Sequence, residues 1–275
     1  MAVTPVVVGA SLAWAEDATA NWPVFMLTLA CAVLIQVGTN LLNDVTDYEK
    51  GNDRADRVGP LRITAAGWAT PSEVRRAASV VFGLAMLIGL VLVWLGGPVI
   101  LGLGAFSILA GWSYSGGSRP VSHGQYGELF VLLFFGLVAV GGSHYLQAGQ
   151  WSPLIVPTGL AIGSMASAVL LLNNYRDLAA DTAAGRRTLA AVIGPAQSRG
   201  LYAVLMLMPL ALPTWLALRN PSHPAALLAW LSAPLLLSLV WRMGRASGAA
   251  LNPVLGQTAL SQAAFGSLLA AGMLL

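Results

Sequence analysis

Seven long stretches of this chain carry no charged residue: 1–15, 18–43, 77–118, 129–175, 200–218, 220–241 and 246–275. Backbone polar groups in hydrocarbon must be satisfied inside the segment, so such runs fold as helices if they meet lipid. A span needs about 20 apolar residues, and the two longest runs therefore hold two helices each. Breaks are available at Gly96-Gly97-Pro98 and between Gln147 and Pro153. The composition agrees, with 57% hydrophobic and only 9% charged residues, where soluble domains carry about a quarter. The expectation is an all-α integral membrane protein with nine spans near 1–15, 23–43, 77–96, 98–115, 128–147, 153–174, 199–218, 224–241 and 253–275. No composition shift or linker divides it, so residues 1–275 are read as one domain.

Charge placement gives an independent check. With those spans, the loops on one side hold Lys50, Arg54, Arg57, Arg62, Arg75, Arg76, Arg119, Arg176, Arg186, Arg187, Arg199, Arg242 and Arg245, and the other side keeps Arg219 alone. Positive residues are retained on the cytoplasmic side, which fixes the expected orientation and accounts for the net charge of +3 without a nucleic-acid partner. The arginine-rich, alanine- and glycine-rich composition suits a GC-rich bacterium, and the expected location is its inner membrane, multi-pass. The first span is short, with Ala13-Trp14-Ala15 a loose match to a signal-peptidase site; an uncleaved first helix is expected. Cys31 is the single cysteine, which excludes an intrachain disulfide. The tryptophans fall mainly near span ends (Trp22, Trp94, Trp151, Trp230, Trp241), and His123, His144 and His223 share no metal-ligand spacing and are read as surface or interfacial.

Against this apolar background stand two knots of charge, both on the cytoplasmic side. The first runs from Asn40 through Asn43, Asp44, Asp47, Glu49, Lys50, Asp53, Arg54, Asp56 and Arg57 to Arg62. The second runs from Asn173, Asn174, Arg176 and Asp177 through Asp181 to Arg186 and Arg187. Asn40, Asn43, Asp44 and Asp47 have the three-four-seven spacing of one helix face, so the second span is expected to carry them out on its end. Asn173, Asp177 and Asp181 repeat at i, i+4 and i+8, again one face, and Asn43 and Asp47 show the first two positions of the same pattern. This faint internal repeat suggests two helix bundles, each offering an acidic helix end. Thr70, Pro71 and Glu73 spell a helix start with a capping box. Glu128, before the aromatic run 129–136, reads first as a helix N-terminal carboxylate, with a role in orienting a pocket left open.

A solvated loop with local ion pairs would explain most charged clusters, but it has no use for Asn and Asp repeated on one face at a span end. Ionisable residues at such depth mark function, and converging carboxylates repel unless a cation lies between them. Oxygen ligands without Cys or His suit Mg²⁺, which takes one or two carboxylates and shares its other positions with water and phosphate oxygens. Neighbouring arginines offer planar forks for the same phosphates. Acids, arginines and a greasy surround together imply a lipid diphosphate.

The segment Asn40-x-x-Asn43-Asp44-x-x-Asp47-x-x-x-Gly51-x-Asp53, followed by Arg57-x-Gly59-Pro60-x-Arg62, resembles the first acidic motif of UbiA-type intramembrane prenyltransferases. Asn173-Asn174-x-Arg176-Asp177-x-x-x-Asp181-x-x-x-Gly185-Arg186-x-Thr188 resembles their second. Tyr114-Ser115-Gly116-Gly117, Gly127-Glu128-Leu129-Phe130 and Phe134-Phe135-Gly136 add to the likeness, which is strongest to the branch that prenylates 1,4-dihydroxy-2-naphthoate in menaquinone synthesis. The likeness covers roughly residues 4–200; the last three spans match in character alone. Ser118 stands where Pro is common in that branch and Arg186 where Lys is common.

The resemblance implies nine helices around a central cavity under a cytoplasmic cap. It also implies a Mg²⁺-dependent enzyme that transfers a polyprenyl group from its diphosphate to the naphthoate, with loss of CO₂ and diphosphate. The implied metal ligands are Asn43, Asp44, Asp47, Asp53, Asn173, Asp177 and Asp181. The implied diphosphate contacts are Asn40, Lys50, Arg57, Arg62, Arg119, Arg176 and Arg186, with Asp47, Asp177 and Arg186 decisive for catalysis. Tyr48, Tyr114 or Phe134 would offer ring faces to the allylic cation. Acceptors such as 4-hydroxybenzoate, homogentisate or a tetrapyrrole form the alternative within the family. A CDP-alcohol phosphotransferase would need a D-G-x-x-A-R core, which is absent. A carrier would place its polar residues at mid-membrane on broken helices rather than at span ends on one side.

Overall fold

The structure is a computed structural model that describes residues 1–49, 51, 58–59, 62–115, 120–219 and 224–275. Its elements are α1 (Val3–Ala15), α2 (Trp22–Glu49), α3 (Pro71–Ser115), α4 (Gly127–Val131), α5 (Ala139–Ala148), α6 (Ile155–Arg176), α7 (Leu178–Ala183), α8 (Leu189–Leu207), α9 (Ala211–Arg219), α10 (Ala233–Arg245) and α11 (Leu251–Leu274). Short 3₁₀ turns and one π-helical stretch link them, and the described residues contain no strand.

Among the described residues, six helical stretches are long and apolar enough to cross a membrane: Trp22–Glu49, Pro71–Gly111, Gly127–Ala148, Ile155–Arg176, Leu189–Arg219 and Pro224–Arg245. The chain is thus a multi-pass helical membrane protein. Pro71–Gly111 is 41 residues long, twice a span, and its backbone breaks at Gly97 (φ 68°, ψ −156°), directly before Pro98. Only glycine takes that conformation without strain, so the break falls where the Gly-Gly-Pro sequence placed it. The second expected break also holds, with α5 ending at Ala148 and α6 starting at Ile155.

Two kinds of helix surface result. In α3, Val80, Met86, Leu87, Leu90, Leu101, Ile108 and Leu109 all face outward, which suits a lipid-facing helix because lipid tails are as apolar as leucine. The interfacial tryptophans Trp22, Trp94, Trp151, Trp230 and Trp241 are exposed as well. By contrast α6 is the most enclosed of the candidate spans. Its inner faces are small: a Cβ at Gly136 would come within 2.3 Å of the Gly159 carbonyl oxygen, and one at Gly163 within 2.4 Å of the Leu132 carbonyl oxygen. This is the close backbone approach that small-xxx-small helix faces permit in membranes. Opposite it the chain widens to a π-helix over Leu132–Val138, a distortion frequent near functional sites.

Helix α1 is integral to the bundle. Residues 4–6 and 8–13 are buried, and Gly9 lies against the Val140 carbonyl of α5. That packing corrects the reading of His144 as interfacial. The side chain is 1% exposed, and its Nε2 lies 2.7 Å from Glu16 Oε2 at the end of α1. A contact between residues 128 apart in sequence leaves no trace in local hydropathy. His223 lies outside the described residues, and His123 is half-buried.

Candidate active site

Both acidic knots are carried to one end of the bundle, by different local structures. Helix α2 runs unbroken to Glu49, so Asn40, Asn43, Asp44 and Asp47 leave the apolar run on a continuous helix, as their spacing required. Asn40 is exposed, its Oδ1 3.4 Å from Gln36 Nε2. In the second knot the helix stops: α6 ends at Arg176, Asp177 adopts φ −94°, ψ 9°, and α7 starts at Leu178. The hydrogen bonds nevertheless continue from Asp177 N to Asn173 O (3.1 Å) and from Asp181 N to Asp177 O (2.9 Å). The expected single helix is therefore two, and the i, i+4 connection survives the break.

The return of the chain after α7 decides where Arg186 points. Gly185 takes φ +73°, and the Arg186 amide donates back to the Asp181 carbonyl at 2.9 Å. This glycine-dependent helix stop folds Arg186 against the carboxylate it follows. Its Nη1 lies 3.3 Å from Asp181 Oδ1 and its Nη2 3.4 Å from Asp47 Oδ1. One guanidinium thus joins carboxylates that are 134 residues apart (181 − 47). Arg62 reaches the same carboxylate from the other side, with Nη1 2.6 Å from Asp47 Oδ2 and 2.9 Å from the Asn43 carbonyl. Arg187 differs: its side chain is exposed, and its amide donates to the His123 carbonyl at 2.9 Å.

Three further placements refine the roles read from the sequence. Asp44 is buried, and both its oxygens serve the turn after Arg62: Oδ2 accepts from Ile63 N at 2.9 Å, and Oδ1 from Thr64 N at 3.1 Å and from the Thr64 hydroxyl. Arg176 is turned inward, its side chain 2% exposed. Its Nε and Nη2 form a fork on the Asp177 carboxylate at 2.8 and 2.6 Å; Nη2 also donates to Asn173 Oδ1 and Nη1 to Asn252 Oδ1. Asn252, on α11, then donates to the Val58 carbonyl at 2.8 Å, tying the second knot to the loop of the first. Asn252 was missed in the sequence because it stands alone in an uncharged run. The thread to find it would have been a lone Asn near the start of the last apolar run, just after Arg242 and Arg245. Lys50, Asp53, Arg57 and Arg119 lie outside the described residues.

Burial pushes the Asp181 carboxyl above its ordinary range, with Arg186 pulling the other way and the charges of Asp177 and Asp47 adding to the rise. Like charges gathered at partial burial call for a cation. Among the described residues no three acidic or histidine side chains stand close enough to hold a metal by themselves; guanidinium groups fill the gaps between the carboxylates instead. The donors offered by Asn43, Asp47, Asn173, Asp177 and Asp181 are all oxygens, the set that suits Mg²⁺ rather than zinc or copper. Arg186, bridging the two ends, occupies the kind of position a divalent cation would take.

At the rim, the rings of Tyr114, Phe130, Phe134 and Phe106 form a row with successive centroid separations of 5.1, 4.4 and 5.2 Å. The capping box at α3 forms as read: Thr70 N donates to Glu73 Oε2 at 2.8 Å, and Glu73 N to Thr70 Oγ1 at 3.3 Å. It starts α3 just past the turn that Asp44 holds.

The chain is 39% identical over 263 residues to a 1,4-dihydroxy-2-naphthoate octaprenyltransferase of Mycobacterium tuberculosis, covering 94% of this chain and 88% of that protein. It is 36% identical over 268 residues to the enzyme of the same name from Escherichia coli, covering 94% and 86%. Its fold matches a UbiA homologue from Archaeoglobus fulgidus solved with DMAPP and Mg²⁺, with a TM-score of 0.61 at 14% identity over 98% of this chain and 96% of that one. A model of the UbiA prenyltransferase family matches residues 2–256, and the chain belongs to that family.

Proposed function

We propose that the protein transfers a polyprenyl group from a polyprenyl diphosphate to 1,4-dihydroxy-2-naphthoate, releasing diphosphate and CO₂ and leaving a demethylmenaquinone precursor. The observation that carries this reading is the meeting of two acidic helix ends around Arg186 at one end of the bundle. The names of the relatives, matched along nearly the whole chain, support the acceptor.

In this reading Asn43 and Asp47 from one end, and Asn173, Asp177 and Asp181 from the other, hold Mg²⁺, with Asp53 as a further ligand. Bound there, the metal neutralises the diphosphate and makes it a better leaving group. Arg62 and Arg186 exchange their carboxylate partners for diphosphate oxygens and stabilise the charge that grows as the C–O bond breaks. Lys50, Arg57, Arg119 and Asn40 are assigned to the same anion. Arg176 contributes by holding Asp177 in place, and Asp44 by holding the turn that presents Arg62. The aromatic row excludes water from the allylic cation and turns ring faces toward it. The ring carbon that bears the carboxylate then attacks, and decarboxylation restores the aromatic ring. We further assign nine spans in the inner membrane, a cytoplasmic cap and a site facing the cytoplasm.

The test is incubation of purified protein with one polyprenyl diphosphate, Mg²⁺ and a panel of aromatic acceptors, followed by mass spectrometry. The naphthoate is expected to yield the decarboxylated, prenylated product. Product from 4-hydroxybenzoate or homogentisate instead would move the chain to another branch of the family, and no covalent product from any acceptor would favour a carrier.

A further inference from the structure

Glu128 is a buried acidic residue near the site that the reaction as drawn leaves without a task. It opens α4 and is 4% exposed. One oxygen, Oε1, accepts from Asn174 Nδ2 at 2.9 Å, and the backbone carbonyl accepts from the Ser167 hydroxyl at 2.7 Å. The other oxygen, Oε2, is buried without a hydrogen-bond partner among the described residues. An unsatisfied buried acceptor costs about 1–3 kcal/mol, and more when charged, so such groups are rare and ask for a reason.

Two features say what belongs opposite Oε2. Asn174 adjoins Asn173 and stands two residues before Arg176, so Glu128 is held at the edge of the proposed metal and diphosphate site without belonging to it. Phe130, two residues on in the same helix, stacks into the row that runs through Phe134 to Phe106, which is exposed on the outer surface. The other end of the row, Tyr114, lies within electrostatic reach of Glu128, so a line of aromatic surface runs from the lipid-facing side towards the carboxylate. A carboxylate oxygen only accepts hydrogen bonds, so the group it receives must be a donor, and on an electron-rich aromatic ring the available donor is a hydroxyl.

We infer that Glu128 Oε2 accepts the hydrogen bond of a ring hydroxyl of the aromatic acceptor, fixing the ring beside the diphosphate site. This rests on the prenyl-transfer reading above. The contact orients the attacking carbon and raises its electron density, because a hydroxyl bonded to an anion feeds more charge into the ring. It also discriminates among acceptors, since a buried anion left unpaired disfavours an analogue that lacks the hydroxyl.

The test uses full-length protein in detergent, with acceptor binding measured by fluorescence in the absence of donor, and steady-state kinetics. Glu128→Gln keeps the size of the side chain and an oxygen for Asn174 but removes the anion. It is expected to weaken naphthoate binding and raise the acceptor KM by about tenfold to a hundredfold, the range for a hydrogen bond to a charged group. The donor KM and Mn²⁺ binding should stay within about twofold. The wild type should prefer the dihydroxy acceptor over one of its two mono-methyl ethers, and the Gln variant should lose that preference. A purely structural clamp on Asn174 predicts the opposite pattern: acceptor affinity unchanged, or equal losses in donor KM and Mn²⁺ binding, and either result overturns the inference. If Glu128→Gln fails to fold, equal binding of the parent acceptor and both ethers by the wild type overturns it as well. Wild-type protein that makes no product from the naphthoate would count against the proposed function itself, a separate outcome.

Discussion

The two acidic helix ends share the Asn-x-x-x-Asp spacing and are held in different ways. At the end of α2, Asp47 is met by arginines that arrive from elsewhere, Arg62 from the following turn and Arg186 from 139 residues further along the chain. At the end of α6, Asp177 is gripped by Arg176 beside it, and Arg176 is in turn bonded to Asn173 and Asn252. The second end is built on a buried Arg176; the first is completed by partners from elsewhere. A diphosphate that draws Arg62 and Arg186 away would strip Asp47 of both these partners and Asp181 of one, and leave the Arg176 fork on Asp177 in place. The second end thus sets the geometry, and the first adapts to what is bound.

That contrast can be broken at several points. Asp47→Ala and Asp177→Ala should each lower kcat by on the order of a thousandfold or more, since each removes a charge that places the leaving group. They should part company in stability. Asp177→Ala strands the buried Arg176, a loss of about 3–5 kcal/mol for a broken buried pair, whereas Asp47→Ala leaves two partly exposed arginines and a nearly unchanged melting temperature. Equal melting temperatures would mean that the second end is no better organised than the first.

Arg186→Gln comes next. It should cut kcat/KM for the donor by about tenfold to a hundredfold, with little change in the acceptor KM, while Arg187→Gln stays near wild type. Arg186→Lys should keep much of the activity. Equal, small effects from both Gln variants would return Arg186 to the topological anchors. Asn252→Ala should cost about 1 kcal/mol of stability and a few-fold in kcat, the worth of ordinary hydrogen bonds. Its effect should vanish when Arg176 is already replaced, a coupling readable in a double-mutant cycle. The smallest effect is expected for Asp44→Asn, which keeps one acceptor for the turn at Thr64. Roughly a twofold rise in the donor KM would fit a residue that acts only through Arg62, and loss of metal binding would make Asp44 a ligand.

What was legible in the chain follows a physical divide. Features set by neighbours in sequence could be read in advance: the break at Gly97, the capping box at Thr70 and Glu73, the helix that carries Asp47 out of the apolar run. Contacts made across the bundle could not. Asn252 touches Arg176 and Val58 from 76 and 194 residues away, and no periodicity announces such a pair. The inward turn of Arg176 was hidden for the same reason, because a basic residue at a span end looks alike whether it faces phosphate or protein. Gly185 stands between these cases. The glycine is plain in the sequence, but that it folds Arg186 back onto Asp181 depends on where α7 stops.

The claim that the two ends form one site can be tested most directly with Mn²⁺ as a magnetic probe. Electron paramagnetic resonance would count the ions bound tightly by purified protein in the presence of inorganic diphosphate, in the wild type, in Asp47→Ala, in Asp177→Ala and in the double variant. If both ends hold the same metal–diphosphate unit, each single variant loses most of the bound Mn²⁺ and the double variant loses little more. If each single variant instead keeps about half of the ions and the losses add, the two ends bind independently and the shared site is wrong.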